Sequence, residues 1–260
     1  GVGINAGGPQ PKLKPAWQAL YRRNGAFEFN PARHDFTTKV LLGHEIRGQG
    51  FAEVEEAVDL LVRAPACAQF VARKLAVYFV ADEPPPALVA RMAATFARTD
   101  GDIAAVLRTL FASPEFSASL GSKFKDPMHF MVAALRLAYD TRPILNTHPV
   151  INWLNALAEP LYGHQTPDGY ALTEAGWASS GQMSRRFEIA RAMAAPNAGL
   201  FAPEDGSIAA GAGFPRLSNP LYFNALEPLL SARTRSALEA ATSQQEWNTL
   251  LLSSPELNYR

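Results

Sequence analysis

Two short runs, His34-Asp35 and His44-Glu45, place an imidazole beside a carboxylate on either side of the apolar stretch Lys39-Val40-Leu41-Leu42. Such a pair can ligate zinc or manganese, and it can also work as a general base whose ring is oriented by the acid. A hairpin turn in the apolar stretch would bring both pairs to one end. His34 and Asp35 would then be ligands or base, with Lys39 or Arg73 supplying positive charge and a water as the nucleophile of a metal-assisted hydrolase. The competing reading is a loop histidine held by its neighbouring carboxylate or backbone, since no His-Glu-x-x-His pattern or other ligand spacing accompanies the pairs. Arg73 is expected to form a structural ion pair with Asp35, docking the hairpin on a helix, ahead of holding an anionic ligand.

A second group, His164, Asp168, Tyr170, Trp177, Arg185 and Arg186, lies on a Gly-containing stretch. Aromatic residues with arginine are what binding surfaces favour, so His164, Tyr170, Trp177 and Arg186 are the candidate contacts for a sugar or peptide. Against that, Trp177 also reads as a core plug and Asp168-Gly169 as a turn. Ser179-Ser180-Gly181 lacks the Gly-x-Ser-x-Gly elbow of a serine hydrolase. The chain has neither a phosphate-binding Gly-x-x-x-x-Gly-Lys-Ser/Thr loop nor a dinucleotide fingerprint, so no nucleotide or nicotinamide cofactor is expected. A divalent metal remains open.

The elements that must carry these residues are mostly helical. At 260 residues and 48% hydrophobic the chain can bury a full core. Lys plus Arg and Asp plus Glu are 24 each, which removes a global electrostatic case for nucleic acid as partner. Cys67 is the only cysteine, so no intrachain disulfide and no cysteine metal site can form. It sits on the four-residue ridge Cys67, Val71, Leu75, Phe79 and reads as a buried thiol. Residues 1–25, rich in Gly, Pro and Lys, predict an irregular arm. Residues 26–50, with the alternation Phe27-Glu28-Phe29 and the run Lys39 to Leu42, predict one small two-stranded β element. Residues 51–260 predict a multi-helix array. Its amphipathic faces are Val54/Val58/Leu61/Val62, Leu88/Val89/Met92/Phe96, Ile103/Val106/Leu107/Leu110/Phe111 and Met128/Met131/Val132/Leu135. Long loops are expected at 140–150, 162–181 and 195–219. Leu110-Phe111-Ala112-Ser113-Pro114-Glu115-Phe116 is echoed by Leu251-Leu252-Ser253-Ser254-Pro255-Glu256-Leu257, and each predicts a helix ending at a Ser that caps the next turn. No apolar run is long enough to span a bilayer, and the first residues do not form a signal peptide. The start at Gly1 suggests a chain taken from a longer precursor.

Several blocks together resemble a known bacterial family. They are Asn30-Pro31-Ala32-Arg33-His34-Asp35 with Lys39 and Leu42-Gly43; Phe70-Val71-Ala72-Arg73-Lys74-Leu75 with Phe79-Val80; Leu110 with Ser113-Pro114-Glu115-Phe116; Pro167-Asp168-Gly169-Tyr170 with Trp177 and Arg186; and the terminal Ser254 to Arg260. In order and across nearly the whole chain they are similar to the domain of unknown function 1800. Tyr170 stands where that family more often has Trp. The resemblance implies the C-terminal part of an exported protein, periplasmic or extracellular, with no established activity. It implies two partners, the upstream N-terminal segment of the same precursor and an exported alkaline-phosphatase-like protein. The function expected is therefore a partner- or polymer-binding component of an extracytoplasmic assembly, acting through the hairpin and the Tyr162 to Gly181 loop; the alternative is the metal-assisted hydrolase using His34 and Asp35.

Overall fold

Alternating apolar residues and tight turns build two small sheets at the start of the chain. The structure, a computed structural model, describes residues 1–139, 142–196, 198–201 and 213–260. Strands β1 (Val2–Ile4), β2 (Arg22–Asn24) and β3 (Phe27–Phe29) form an antiparallel sheet in the order β1-β3-β2, with a four-residue helical turn α1 (Pro15–Gln18) between β1 and β2. Strands β4 (Lys39–Leu41) and β5 (His44–Ile46) form a separate hairpin, Leu41 opposite His44. Its two connecting residues, Leu42 and Gly43, both have positive φ, 52° and 81°. That is the primed turn whose twist suits a two-residue hairpin, and it leaves Leu42 exposed in a conformation that a branched side chain enters only with strain.

The two predicted strand segments both exist, but they do not pair with each other. Phe27–Phe29 finds its partners in β1 and β2, and Lys39–Leu41 finds its partner in β5. The expected irregular arm over 1–25 is corrected by the same ladder. Val2–Ile4 is ordered because its backbone pairs with β3, and Pro15 opens a helical turn because its fixed φ suits the first helical position. Buried Glu28 on β3 accepts hydrogen bonds from Asn5 Nδ2 and Tyr21 Oη, at 2.9 and 3.0 Å, which tie the segments flanking the sheet to its central strand.

The rest is helical: α2 (Ala52–Arg63), α3 (Pro65–Phe79), α4 (Pro86–Arg98), α5 (Ile103–Phe111), α6 (Pro114–Ser119), α7 (Pro127–Tyr139), α8 (His148–Ala156), α9 (Ser180–Ala194), α10 (Ala232–Glu239) and α11 (Gln244–Leu252). The mostly α fold with a small β part near the N-terminus is thus present. Helix ends follow the local chemistry. Asp102 Oδ1 caps the Ala105 amide, and Ser113 and Ser254 cap the amides three residues on, each followed by Pro. Ser243 likewise caps α11 through the Glu246 amide, while the Glu246 carboxylate turns to Thr242. Among the described residues no helix is long and apolar enough to cross a membrane.

By their contacts the residues gather into two compact units, Gly1–Ala72 with Val89–Thr109, and Arg73–Leu88 with Leu110–Arg260. The sequence suggested a break near residue 50 instead. The grouping differs because α2, α4 and α5 join the N-terminal sheets' unit. In that unit Phe27 and Phe29 meet Phe51 edge to face, and Val89, Met92, Phe96 and Val106 are buried. In the second unit α9 lies against α11, and Phe130, Met131, Leu154, Leu157, Ile189, Met193, Leu251 and Leu252 share one core. The ridge of α3 that is buried is Ala68, Ala72 and Ala76, with Val80 just past the helix end also buried; Cys67 is half-buried, and Val58 and Leu61 on α2 are exposed. The stretch 140–150 contains the start of α8, and 162–181 contains a 3-10 turn, Glu174–Gly176, and the start of α9. Residues 140, 141, 197 and 202–212 of the expected loops lie outside the described residues.

Candidate functional site

His34 follows the 3-10 turn Pro31–Arg33, whose first amide-accepting cap is the Asn30 side chain. Its ring packs edge to face on Phe29 and Phe36, and its Nε2 lies 2.8 Å from Glu53 Oε1. Glu53, in the first turn of α2, is 5% exposed and gathers three donors: His34, the Gly50 amide at 2.8 Å and Lys39 Nζ at 2.7 Å. Burial pushes the Glu53 carboxyl up, but the hydrogen bonds from Lys39, His34 and Gly50 outweigh it and bring the pKa from the usual 4.5 to about 2. Lys39 also donates to the carbonyls of Asp35 and Thr37. Asp35 itself turns back on the Thr37 amide and hydroxyl, and both bonds hold its carboxyl below the ordinary value. His44 and Glu45 are exposed on β5.

His34 and Lys39 therefore come together, but around Glu53, a residue the sequence reading did not single out. Asp35 spends its oxygens on its own loop. Among the described residues no three His, Cys, Asp or Glu side chains gather as metal ligands would. The arrangement is a buried ionic knot that fastens the loop over residues 34–39 to α2. Close packing continues it, since a Cβ at Gly48 would run into the Phe36 carbonyl oxygen. The knot predicts a pH dependence. A carboxyl whose folded pKa is depressed stabilises the fold above its unfolded value, near 4.5, and that contribution fades as pH falls toward about 2. Glu53→Gln should cost about 1–3 kcal/mol at neutral pH and flatten the acid limb of stability, measured by urea unfolding between neutral and acid pH.

In the second unit, Arg73 pairs with Glu83 at 3.3 Å on an exposed surface, in place of the expected Asp35. Such a pair contributes little, about 0–1 kcal/mol. The loop from Pro160 to Trp177 is ordered by its aromatics. Tyr170 Oη donates to the Pro160 carbonyl at 2.7 Å, the Tyr170 ring meets both His164 and Trp177, and Trp177 Nε1 donates to the Ala171 carbonyl at 2.8 Å. Trp177 is buried, so the plug reading holds for it. His164 and Asp168 both turn to Thr166. The far side of the loop is pinned by Asp82, which pairs with buried Lys123 through one oxygen and accepts the Glu174 amide at 2.7 Å through the other, while Lys123 donates to the Leu172 carbonyl at 2.7 Å. Residues 161–169 are all exposed, and the large apolar side chains this frame presents among them are Leu161 and Tyr162. Leu161 is half exposed, and Tyr162 is fully exposed with a φ of 55°.

Arg186, expected at the surface beside Trp177, is 1% exposed. It donates to Asn258 Oδ1 at 2.9 Å and to the Lys125 carbonyl at 2.7 Å, and its guanidinium lies over the rings of Phe124 and Phe130. Around it runs a charged network that the sequence reading missed. Lys125 is pulled down to about 8 by burial and then by Arg260 and Arg186. Burial raises the Glu159 carboxyl, whose oxygen accepts the Met128 amide. Asp126 caps α7 through the His129 amide and holds His129 Nδ1 at 2.7 Å, and His129 Nε2 faces both Tyr78 Oη at 3.1 Å and the Arg260 guanidinium. The local signal was Asp126-x-x-His129 at a helix start; the other members come from distant parts of the chain.

The chain belongs to the family described as Protein of unknown function (DUF1800), whose sequence pattern matches residues 1–259. No curated protein and no solved structure matches the chain.

Proposed function

We propose that this chain is a partner-binding component of an assembly outside the cytoplasm, and that the Pro160 to Trp177 loop is its main contact surface. The observation that supports this reading is the Leu161–Tyr162 tip. A fully exposed tyrosine in a left-handed backbone conformation sits on a loop braced by Tyr170 and buried Trp177, so the backbone that carries it is ordered before any partner arrives. Tyrosine offers a large contact area with few rotatable bonds, which is why it recurs where binding energy concentrates. The β4–β5 hairpin repeats the theme in the other unit, with exposed Val40 and Leu42 at a turn of positive φ. The partner of this chemistry is a protein with an apolar pocket, such as the alkaline-phosphatase-like exported protein or the upstream segment that the resemblance implies. The location outside the cytoplasm rests on that resemblance and belongs to the same proposal. The metal-hydrolase alternative draws no support from His34 and Asp35, since His34 Nε2 is engaged by Glu53 and both Asp35 oxygens by Thr37.

Tyr162→Gly tests the proposal. Glycine is at ease at a φ of 55°, so the fold should hold or gain about 1 kcal/mol. Affinity for the partner should fall about 30-fold or more. In extracts of the native cell the wild-type chain should elute in size-exclusion chromatography with its partner and the variant as the free chain; unchanged co-elution of the variant would sink the proposal.

A further inference from the structure

The charged network beside Arg186 contains an arrangement with its own chemistry. Asp126 holds His129 through Nδ1, at 2.8 and 2.7 Å from its two oxygens, and also caps the His129 amide at 2.7 Å. The carboxyl is kept below its ordinary value; burial opposes this, but the bonds from His129 prevail. An ionised carboxylate only accepts and a guanidinium only donates, so Nδ1 carries the ring proton and Nε2 is the bare nitrogen facing Arg260. Tyr78 Oη, 3.1 Å away, lies within reach of that same nitrogen and can donate to its single lone pair when the Arg260 N–H turns away. The acid is the more buried partner and the imidazole keeps 30% of its side chain exposed, so the base is oriented from inside and reachable from outside. Arg260 lies over the Tyr78 ring at 4.8 Å and donates to the Tyr78 carbonyl at 2.8 Å. A nucleophile within reach of a base, the base fixed by a third group and a cation alongside is the geometry of nucleophilic catalysis.

We propose that Tyr78, His129 and Asp126 form a nucleophilic relay that accepts a phosphoryl group from a small phosphate diester, with Arg260 balancing its charge. The inference stands apart from the binding reading, because it uses none of the residues of the 160–177 loop. In the first step Tyr78 Oη attacks phosphorus and its proton passes to His129 Nε2. The bond from phosphorus to the leaving oxygen breaks, and the leaving alkoxide or phenoxide takes that proton. In the second step water attacks the phosphotyrosyl diester with His129 again as base, the bond from phosphorus to Tyr78 Oη breaks, and the phenol regains its proton. A diester carries a single negative charge, which one guanidinium can balance once its N–H turns from Nε2 to the phosphate oxygen. Tyr78 and His129 are the catalytic residues and Asp126 is a positioning residue. The neighbouring Lys125, at about 8 by burial and by Arg260 and Arg186, is the kind of shifted group that gathers at reactive sites.

The experiment incubates the full chain with bis(4-nitrophenyl) phosphate, follows 4-nitrophenolate release and maps adducts by peptide mass. The expected result is a nitrophenylphosphoryl adduct on Tyr78, formed about tenfold or more faster than on fully exposed Tyr162 of the same molecules, and slowed about tenfold or more in His129→Gln. Tyr162 is an internal standard that no change of fold can disguise. No adduct on Tyr78, equal rates on Tyr78 and Tyr162, or a Tyr78 rate unaltered in a His129→Gln protein of native circular dichroism would each overturn the proposal.

Discussion

Arg186→Ala should lower the stability of the chain by about 3–5 kcal/mol, the range expected when one member of a buried ionic network is removed. Three losses add up. Asn258 Oδ1 and the Lys125 carbonyl lose their donors in a buried site. The space between the Phe124 and Phe130 rings, now filled by the guanidinium, is left poorly packed. Asp126 and Glu159 lose a facing positive charge. Arg186→Lys should recover only part of the loss, since an ammonium cannot reach both acceptors in the plane of a guanidinium. Arg186→Met keeps the volume without the charge and should fall between Ala and the wild type. Arg186→Ala and Arg186→Met remove one of the cations that depress Lys125, so the Lys125 amine should titrate above about 8 in either of them that folds. Urea unfolding measures the stabilities; a loss under about 1 kcal/mol for Arg186→Ala would show that the network is dispensable.

Lys123→Ala should cost about 2–4 kcal/mol and, more tellingly, open the Pro160 to Trp177 loop to proteolysis. Its side chain is 3% exposed, and its ammonium joins the Asp82 carboxylate to the Leu172 carbonyl. Asp82 in turn holds the Glu174 amide. Without Lys123 the chain near Leu172 loses its anchor, while Asp82, about one-third exposed, can turn to water. That relief favours the lower end of the energy range. Limited proteolysis should therefore cut the variant between residues 160 and 177 under conditions that leave the wild-type loop whole. Equal resistance of the two proteins would mean that the aromatic bracing by Tyr170 and Trp177 suffices alone.

The helical character of the chain and several helix ends were legible because they rest on local chemistry. The Ser-Pro-Glu echo is a case in point, since Ser113 and Ser254 each cap the amide three residues on. The buried face of α3 was misread because alanine carries little apolar signal; the larger residues Cys67, Val71, Leu75 and Phe79 drew attention away from Ala68, Ala72 and Ala76. Period-two alternation found Phe27–Phe29 and a short apolar run found Lys39–Leu41, but pairing is set by turns and by edge strands whose own sequences are glycine-rich or charged. His34 was visible as chemistry while its partner was not, because Glu53 sits 19 residues away with no spacing rule to connect them. Arg186 was read as surface because a fully buried arginine is rare, and only the fold supplies Asn258, Lys125, Phe124 and Phe130 around it. The relay was out of reach for a similar reason: Tyr78 and Arg260 lie 51 and 131 residues from His129.

The central claim is that the Leu161–Tyr162 tip meets a partner. A photo-crosslinking amino acid placed at position 162 of the full-length protein in its native cell tests it most directly, with the same group at exposed Arg233 on α10 as the reference. The account predicts one discrete adduct of defined mass from position 162, absent from position 233 and lost when Leu161 is also replaced by Asp. Identical patterns from the two positions, or no adduct from position 162, would contradict it.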